Sequence, residues 1–227
     1  MKKDIIICIG TIGSPTFKKC KKIIKRLALN NPRVSKVVVI RDKVPQSAWL
    51  NEMRVAASGM KWCLQVDEDM YLYPNAISEL IKFAEKKEKE GVKILSASSL
   101  LHDLFLKSKI GSLKLWSVEP LQKLEFNDVL GGDRDFAKRA KKLGYRIVET
   151  NLVLGDHDSA PTPEIAFKKY FEHTQKIRKF SGEKRAKRFC SFLKQKWSKE
   201  KTFINKKAYD GSCKGLRIAM INKSKRK

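Results

Sequence analysis

The chain has 227 residues, enough to bury a hydrophobic core, and its hydrophobic content of 42% excludes a disordered polypeptide. No apolar stretch approaches the length of a transmembrane helix, so we expect a soluble protein or one bound peripherally to a surface. The formal net charge of +26 predicts an anionic partner: a phosphate-rich substrate, an anionic membrane or a nucleic acid.

The positive charge is concentrated toward the C-terminus. Residues 159–227 contain 21 Lys and Arg against 5 Asp and Glu, a net charge of +16, and residues 1–158 carry the other +10. We therefore expect one domain over residues 1–158 and a basic helical extension over residues 159–227. The five cysteines are widely spaced and form no Cys-x-x-Cys pair, which indicates free thiols in a reducing cytoplasm.

The first seventy residues alternate between strand and helix patterns. Apolar runs predict strands over Asp4–Ile9, Val34–Ile40 and Trp62–Val66. Amphipathic patterns predict helices over Thr16–Asn30 and Gln46–Ser58. This alternation predicts an α/β fold with a parallel sheet and right-handed crossovers, in which ligands bind at the carboxyl ends of the strands.

Three turns follow these strands and should meet at that edge of the sheet: residues 11–14, 41–43 and 67–69. The first turn contains Gly10-x-x-Gly13 but lacks the remaining signature of a P-loop or a dinucleotide fingerprint. It is either a turn where a nucleotide approaches the backbone or a plain strand-to-helix connection.

Three consecutive carboxylates, Asp67-Glu68-Asp69, follow the third strand. Adjacent carboxylates repel one another and are costly to desolvate. A divalent cation would neutralise the cluster and could bridge the phosphates of a nucleotide. The alternative is a solvated acidic turn.

The strand and helix patterns continue beyond the triplet. We predict a helix over Pro74–Glu90 and a strand over Val92–Ser98. The stretch Leu100–Val118 alternates apolar and basic residues, which is typical of a hairpin or a flexible loop. The segment Gly131–Phe136 opens another helix, and Tyr145–Val148 predicts a further strand.

The order of these pieces resembles the GT-A fold glycosyltransferases, closest to the large family 2. The opening strand and turn with Thr11 is similar to that family's first nucleotide-contacting strand. Val66-Asp-Glu-Asp69 is similar to its Asp-x-Asp metal motif. Gly131-Gly-Asp-Arg-Asp-Phe136 and then Leu143-Gly-Tyr-Arg-Ile147 are similar to its Glu-Asp-x-Asp helix and Gly-Tyr-Arg segment. The resemblance covers roughly residues 4–158 and implies a Rossmann-like GT-A sheet with flanking helices.

The resemblance implies an enzyme that moves a sugar from a nucleotide-diphosphate sugar to an acceptor hydroxyl, with Mn or Mg as cofactor. Asp69 would bind the metal that holds the donor diphosphate, and Asp67 would lie by the ribose. Thr11 would contact the nucleotide, and Asp42 would face the base. His157, within Gly-Asp-His-Asp, matches the position of another metal ligand; the alternative is a surface histidine.

Asp133 is the candidate catalytic base. It lies at the start of a helix, after two glycines, where the helix N-terminus favours the ionised carboxylate. It would take a proton from the acceptor hydroxyl and imply direct displacement with inversion. The alternative is that Asp133 only caps its helix. Asp135 and Trp116 are the candidates for the acceptor side.

The sequence departs from the family pattern at several positions. Gly132 stands where the family usually has Glu, and Arg41-Asp42 stands where it usually has an acidic pair. The Gln-x-x-Arg-Trp motif of processive members has no good match, since Gln195-Lys-Trp197 is too loose. We therefore expect a non-processive enzyme.

The basic extension contains a predicted amphipathic helix over Glu183–Lys201. Its apolar face carries Phe189, Leu193 and Trp197, and Lys and Arg cover the rest. Such a helix lies on an anionic membrane, on its cytoplasmic side and near a lipid-linked acceptor, or it packs on the catalytic domain. The acceptor itself is either a glycan or a lipid-linked molecule.

Two other functions are compatible with the sequence. The net charge and the aromatic residues among the basic ones suit a nucleic-acid-binding protein, although no nucleic-acid-binding motif is present. A nucleotidyltransferase acting on a sugar phosphate would use a related fold, but its longer Gly-rich signature and fixed Lys are not evident.

Overall fold

The structure of the protein is a computed structural model that describes residues 2–129 and 131–224. The chain forms two compact units, one ending at Asp158 and one beginning at Ser159. The strands and helices of the N-terminal unit, in chain order and within the described residues, are β1 (Ile5–Thr11), α1 (Phe17–Leu29), β2 (Val34–Arg41), α2 (Gln46–Ala56), β3 (Trp62–Asp67), β4 (Met70–Leu72), α3 (Ala76–Lys89), β5 (Ile94–Asp103), β6 (Ser108–Ser117), α4 (Val118–Lys123), α5 (Gly132–Lys142) and β7 (Arg146–His157).

The strands form a seven-stranded mixed sheet in the order β2-β1-β3-β6-β5-β7-β4. Strands β2, β1 and β3 are parallel, as their apolar runs predict. Strand β6 is antiparallel to both β3 and β5, and β7 is parallel to β5. The carboxyl ends of β1, β2, β3, β5 and β7 therefore lie at the same edge of the sheet.

Two features of the sheet go beyond the sequence prediction. Strands β5 and β6 form a hairpin with one register shift, between Ser99 and Leu100. The hairpin predicted for Leu100–Val118 is therefore confirmed, and the alternative of a flexible loop is not observed there. The last strand, β7, extends to His157 and pairs with the short strand β4, in the register of Met70 with His157. This pairing brings the turn after β3 next to the end of β7.

The sheet separates two hydrophobic layers, because successive side chains of β1 point to opposite faces. Ile5, Ile7 and Ile9 pack with buried residues of α1 and α3. Ile6 and Cys8 pack with buried residues of α2, α4 and α5 on the other face. All five of these strand residues are fully buried, as expected for an inner strand that is covered on both faces.

The C-terminal unit is helical in its described part and consists of α6 (Pro163–Ser181), α7 (Glu183–Glu200) and α8 (Phe203–Ser224). Helices α6 and α8 approach closely at Gly211, where an added Cβ would lie 2.2 Å from the carbonyl oxygen of Phe167. At the next residue of α8, the Ser212 hydroxyl lies 2.7 Å from the Thr174 hydroxyl of α6, and both residues are fully buried. Within the part of the chain that the structure describes, no helix has both the length and the hydropathy to cross a membrane.

The apolar face of α7 is used inside the C-terminal unit. Leu193 is 1% exposed, the Phe189 ring lies 5.0 Å from the His173 ring, and Trp197 stacks on Tyr209 at 5.8 Å. Neighbouring helices of the same unit thus contact this face, and the expectation that α7 contacts a membrane stays a prediction.

Candidate active site

The acidic triplet lies at the carboxyl edge of the sheet, as predicted. Asp67 is the last residue of β3, and Glu68 and Asp69 form the turn into β4. The triplet borders a cavity of about 210 Å³. The cavity is lined by residues at the carboxyl ends of β1, β2 and β3 and in the segments that follow them: Gly10, Thr11, Ile12, Ile40, Lys43, Gln46, Trp49, Asp67, Glu68 and Asp69.

The middle carboxylate of the triplet is bound by the turn that follows β1. Glu68 accepts hydrogen bonds from the hydroxyl of Thr11 and from the backbone N–H of Ser14, the latter at 2.9 Å. The backbone N–H of Gly13 in turn donates to the Thr11 hydroxyl at 3.0 Å. Glu68 thus joins the first and third turns of the edge, a role that the sequence prediction did not assign to it.

Asp69 lies beside His157, as the pairing of β4 with β7 requires. The Oδ2 atom of Asp69 is 3.3 Å from Nε2 of His157, and Nδ1 of His157 is 2.8 Å from Oδ2 of Asp103. Asp103 is 1% exposed and its other oxygen accepts the backbone N–H of Leu106 at 2.6 Å. Asp103 orients the imidazole through Nδ1, so that Nε2 faces Asp69. With the proton on Nδ1, the Nε2 lone pair would be available to a metal ion.

The pair of Asp69 and His157 fits a divalent metal. Two neighbouring ligands of one octahedral ion, each at about 2.1 Å, lie about 3 Å apart, and the measured separation is 3.3 Å. No group of three or more His, Cys, Asp or Glu in residues 2–129 and 131–224 is arranged to hold a metal. Further ligands would therefore come from other groups, such as phosphate or water oxygens.

Tyrosines fix the two aspartates that flank His157. The hydroxyl of Tyr71 donates to Asp158 at 3.1 Å, and that of Tyr73 donates to Asp156 at 2.9 Å. Burial, with the neighbouring carboxylate as a further cause, raises the pKa of both tyrosines. Both phenols therefore stay protonated and remain donors, which holds the Gly-Asp-His-Asp segment in place.

Asp42 is not among the residues that line the cavity, although the resemblance implies that it faces the base. It is exposed, adopts a left-handed backbone conformation with φ 53°, and its N–H donates to the carbonyl of Thr11 at 2.9 Å. Lys43, Gln46 and Trp49 form the wall after β2 instead. The Trp49 ring lies against Gly10, where an added Cβ would be 3.1 Å from the indole, so only glycine fits there without displacing the ring.

Asp133 lies in the first turn of α5, and its Oδ2 is 2.9 Å from Nζ of Lys114 on β6. The N-cap of α5 is Gly131, in a left-handed conformation with φ 79° and with no side-chain capping hydrogen bond. The Oδ1 atom of Asp133 accepts the N–H of Arg134 at 3.0 Å. Asp133 is thus not the N-cap residue, although it does accept one amide of the first turn.

The two residues assigned to the acceptor side have structural contacts. Trp116 is 1% exposed and donates its indole N–H to Gln65 at 2.9 Å, so it belongs to the core and not to an acceptor surface. Asp135 accepts hydrogen bonds from Asn127 and Arg139, both at 2.9 Å. These bonds fix the start of α5.

The sequence analysis did not identify four residues near the site: Asp103, Lys43, Gln46 and Trp49. The rule that ligands bind at the carboxyl ends of strands points to Asp103, since it is the last residue of β5. The prediction ended that strand at Ser98 and so left Asp103 out of the site.

The comparisons with known proteins concern the fold. No protein-family model matches the sequence, and no curated protein matches it. A mannosyltransferase of Pyrobaculum calidifontis, solved in complex with GDP-Man and Mn²⁺, is similar with a TM-score of 0.57 and 13% identity, over 96% of this chain and 71% of that one. The chain therefore has the GT-A glycosyltransferase fold, which confirms the fold class that the sequence predicts.

Two further structures align more loosely. One is a glycosyltransferase involved in glycosylation of the major capsid of PBCV-1, with a TM-score of 0.48 and 12% identity, over 71% of this chain and 97% of that one. The other is TarS residues 1–349 of S. aureus, with a TM-score of 0.47 and 14% identity, over 87% and 72%.

Proposed function

We propose that the protein is a metal-dependent glycosyltransferase that moves a sugar from a nucleotide-diphosphate sugar to an acceptor hydroxyl. The observation that supports this proposal most directly is the pair of Asp69 and His157, oriented by the buried Asp103, beside a cavity at the carboxyl edge of a GT-A sheet. A donor diphosphate has the oxygens that would complete the coordination of a divalent ion at this pair.

On the donor side, the cavity wall offers a place for each part of a nucleotide. Asp67 would accept hydrogen bonds from the ribose hydroxyls, and the turn at Thr11 would lie along the nucleotide. The base would lie toward Lys43, Gln46 and Trp49, and the exposed Asp42 would face it from the turn after β2. An aromatic ring next to backbone is a suitable surface for stacking a planar base.

Asp69 and His157 would hold Mn²⁺ or Mg²⁺. When bound, the ion supplies positive charge to the diphosphate that leaves during transfer. The similar mannosyltransferase was solved with Mn²⁺, which supports Mn²⁺ as the first ion to test.

On the acceptor side, Asp133 would take the proton from the attacking hydroxyl as the new glycosidic bond forms. A base on the face opposite the leaving diphosphate implies inversion at the anomeric carbon. Asp135 would act here only indirectly, by fixing the first turn of α5. The proposed enzyme is non-processive, so it would release its product after each transfer of a sugar.

The acceptor would be a glycan or a lipid-linked molecule, and the outward face of α7 suits an anionic membrane surface on the cytoplasmic side. Lys184, Lys187 and Arg188 lie on this face around Phe192, which is 43% exposed. Each basic residue near such a surface contributes about 1 kcal/mol of binding. Co-sedimentation with anionic vesicles should fall for Lys187→Glu/Arg188→Glu but not for the control Lys86→Glu, at an exposed lysine of the N-terminal unit. Equal sedimentation of both variants and the unchanged protein contradicts the membrane proposal.

The proposed function is tested by calorimetric titration of the full chain with GDP-, UDP-, CDP- and dTDP-sugars, with Mn²⁺ or with EDTA. We expect at least one nucleotide sugar to bind at least about tenfold more tightly with Mn²⁺, because Asp69 and His157 would hold an ion whose charge favours a bound diphosphate. A DNA oligomer is titrated in parallel, to test the alternative of a nucleic-acid-binding protein. Binding of DNA alone, with no nucleotide sugar binding under any condition, contradicts the proposal.

A further inference from the structure

We propose that Lys114 is a positioning residue for Asp133, holding the carboxylate over the sheet in its ionised form. This inference rests on the proposed function, in which Asp133 accepts a proton. Lys114 received no role from the sequence patterns, and its place in the structure gives it one.

Lys114 is a partly buried cation at the centre of the sheet. It lies on β6, opposite Gln65 of β3 and Ser98 of β5. Its side chain is 17% exposed, whereas that of Asp133 is 42% exposed. The 2.9 Å contact between Nζ and Oδ2 of Asp133 therefore connects a fixed strand residue to a carboxylate that solvent can reach.

The surroundings of Lys114 restrict its movement. Its Nζ lies 5.4 Å from the ring of Trp116, on the same face of the same strand. Trp116 is held by its hydrogen bond to Gln65 and by an edge-on contact with Phe136, at 5.8 Å between ring centroids. Phe136 belongs to α5, as Asp133 does, so β6 contacts this helix through both Trp116 and Lys114.

The charged groups near Asp133 differ in their partners. Asp135, on the same helix, is bound by Asn127 and Arg139, and Arg134 contributes its backbone N–H to Asp133. Lys114 forms a direct ion pair with Asp133. A cation at this distance favours the ionised form of a carboxylate and also limits its rotamers.

The test compares Lys114→Met with Lys114→Arg and with the control Lys109→Met, an exposed lysine on the same strand. We expect Lys114→Met to lower kcat by about tenfold or more, with little change in the donor KM, since a charge-assisted hydrogen bond near the base is lost. In a plot of kcat against pH, the acid limb should move to higher pH by about one pH unit or more. Lys114→Arg should restore most of both properties.

A second measurement separates this inference from the proposed function. Carboxyl ¹³C NMR of Asp133 in the full chain follows its titration without requiring turnover, with Asp133→Asn used to assign the signal. We expect Lys114→Met, and not Lys109→Met, to move this titration to higher pH. An unmoved titration overturns the role of Lys114 whatever the enzyme transfers. If the titration of Asp133 moves but the protein transfers no sugar, the role of Lys114 at Asp133 is upheld and only the proposed reaction is overturned.

Discussion

The backbone N–H of Ser14 donates a hydrogen bond to the carboxylate of Glu68, 2.9 Å away and 54 residues along the chain. The Thr11 hydroxyl donates to the same oxygen. All three carboxylates of the triplet border the cavity, but the middle one, Glu68, also closes the turn after β1. This arrangement explains how three adjacent carboxylates are accommodated at one turn.

Replacing Glu68 with Ala should destabilise the protein by about 1–3 kcal/mol, because a part-buried hydroxyl and backbone N–H groups lose their acceptor. The donor KM should rise as the turn loosens. Urea unfolding measures the first effect, and Glu79→Ala, which removes a surface pair with Lys82, is the control. Equal unfolding free energies for Glu68→Ala and the unchanged protein would show that the turn does not depend on Glu68.

Replacing Asp69 with Asn should abolish the dependence of nucleotide-sugar binding on Mn²⁺ while the fold persists, because an amide is a poor replacement for an anionic ligand. Asp103→Asn should weaken Mn²⁺ binding by about tenfold to a hundredfold, since the orientation of His157 is lost. Calorimetric titration with Mn²⁺ and a bound nucleoside diphosphate measures both. Unchanged Mn²⁺ affinity in Asp69→Asn is the contrary result.

Replacing Asp133 with Asn distinguishes a base from a helix-end residue. Asn can accept the N–H of Arg134 as Asp does, so a purely structural role predicts a nearly silent change. A base predicts that donor and metal binding are kept while transfer falls by at least about a hundredfold. Turnover near that of the unchanged protein, or a product that retains the donor's anomeric configuration, would contradict the assignment.

The half of the sheet built from β1, β2 and β3 could be predicted because each strand is a bounded apolar run between amphipathic helices. The other half is harder to predict. Strand β5 ends in His102 and Asp103, polar residues that read as a loop, and they are held in the strand by pairing with β6 and β7. The pairing of Asp103 with His157 of β7 joins residues 54 positions apart, so the local pattern did not extend the strand to Asp103.

The apolar face of α7 shows a second limit of sequence reasoning. Phe189, Leu193 and Trp197 follow a helical period that suits a bilayer, a neighbouring domain or a neighbouring helix equally well. The structure places them against α6 and α8. An amphipathic pattern predicts that the apolar face of a helix is buried. Which surface buries it depends on the rest of the fold.

Replacing Gly211 with Ala should destabilise the C-terminal unit strongly, because an added Cβ would lie 2.2 Å from the carbonyl oxygen of Phe167. The helices α6 and α8 would have to separate, at a cost of about 1–3 kcal/mol or more. Chemical unfolding followed by the fluorescence of Trp197, in a background with the other tryptophans replaced by Phe, measures the change. Arg217→Ala, on the same helix, is the control, and an unaltered midpoint for Gly211→Ala would contradict the close approach.

The ion pair at the opposite edge of the sheet gives a pH-dependent prediction. Asp4 precedes β1 and accepts two hydrogen bonds from the Arg33 guanidinium, at 2.9 Å and 2.7 Å. This hydrogen bonding, opposed by burial, lowers the pKa of Asp4. A carboxyl whose pKa is lower in the folded state stabilises the protein above the unfolded value of about 3.9 and loses that contribution as the pH falls through the folded pKa.

Asp4→Asn should therefore reduce the unfolding free energy at pH 7, and the difference from the unchanged protein should shrink as the pH is lowered below about 4. Glu85, which also pairs with Arg33 at 2.7 Å, remains in the variant and keeps the guanidinium in place. Urea unfolding at a series of pH values from 7 to about 3 measures the difference. A difference that stays constant across this range would show that Asp4 stabilises the fold by packing and not through its charge.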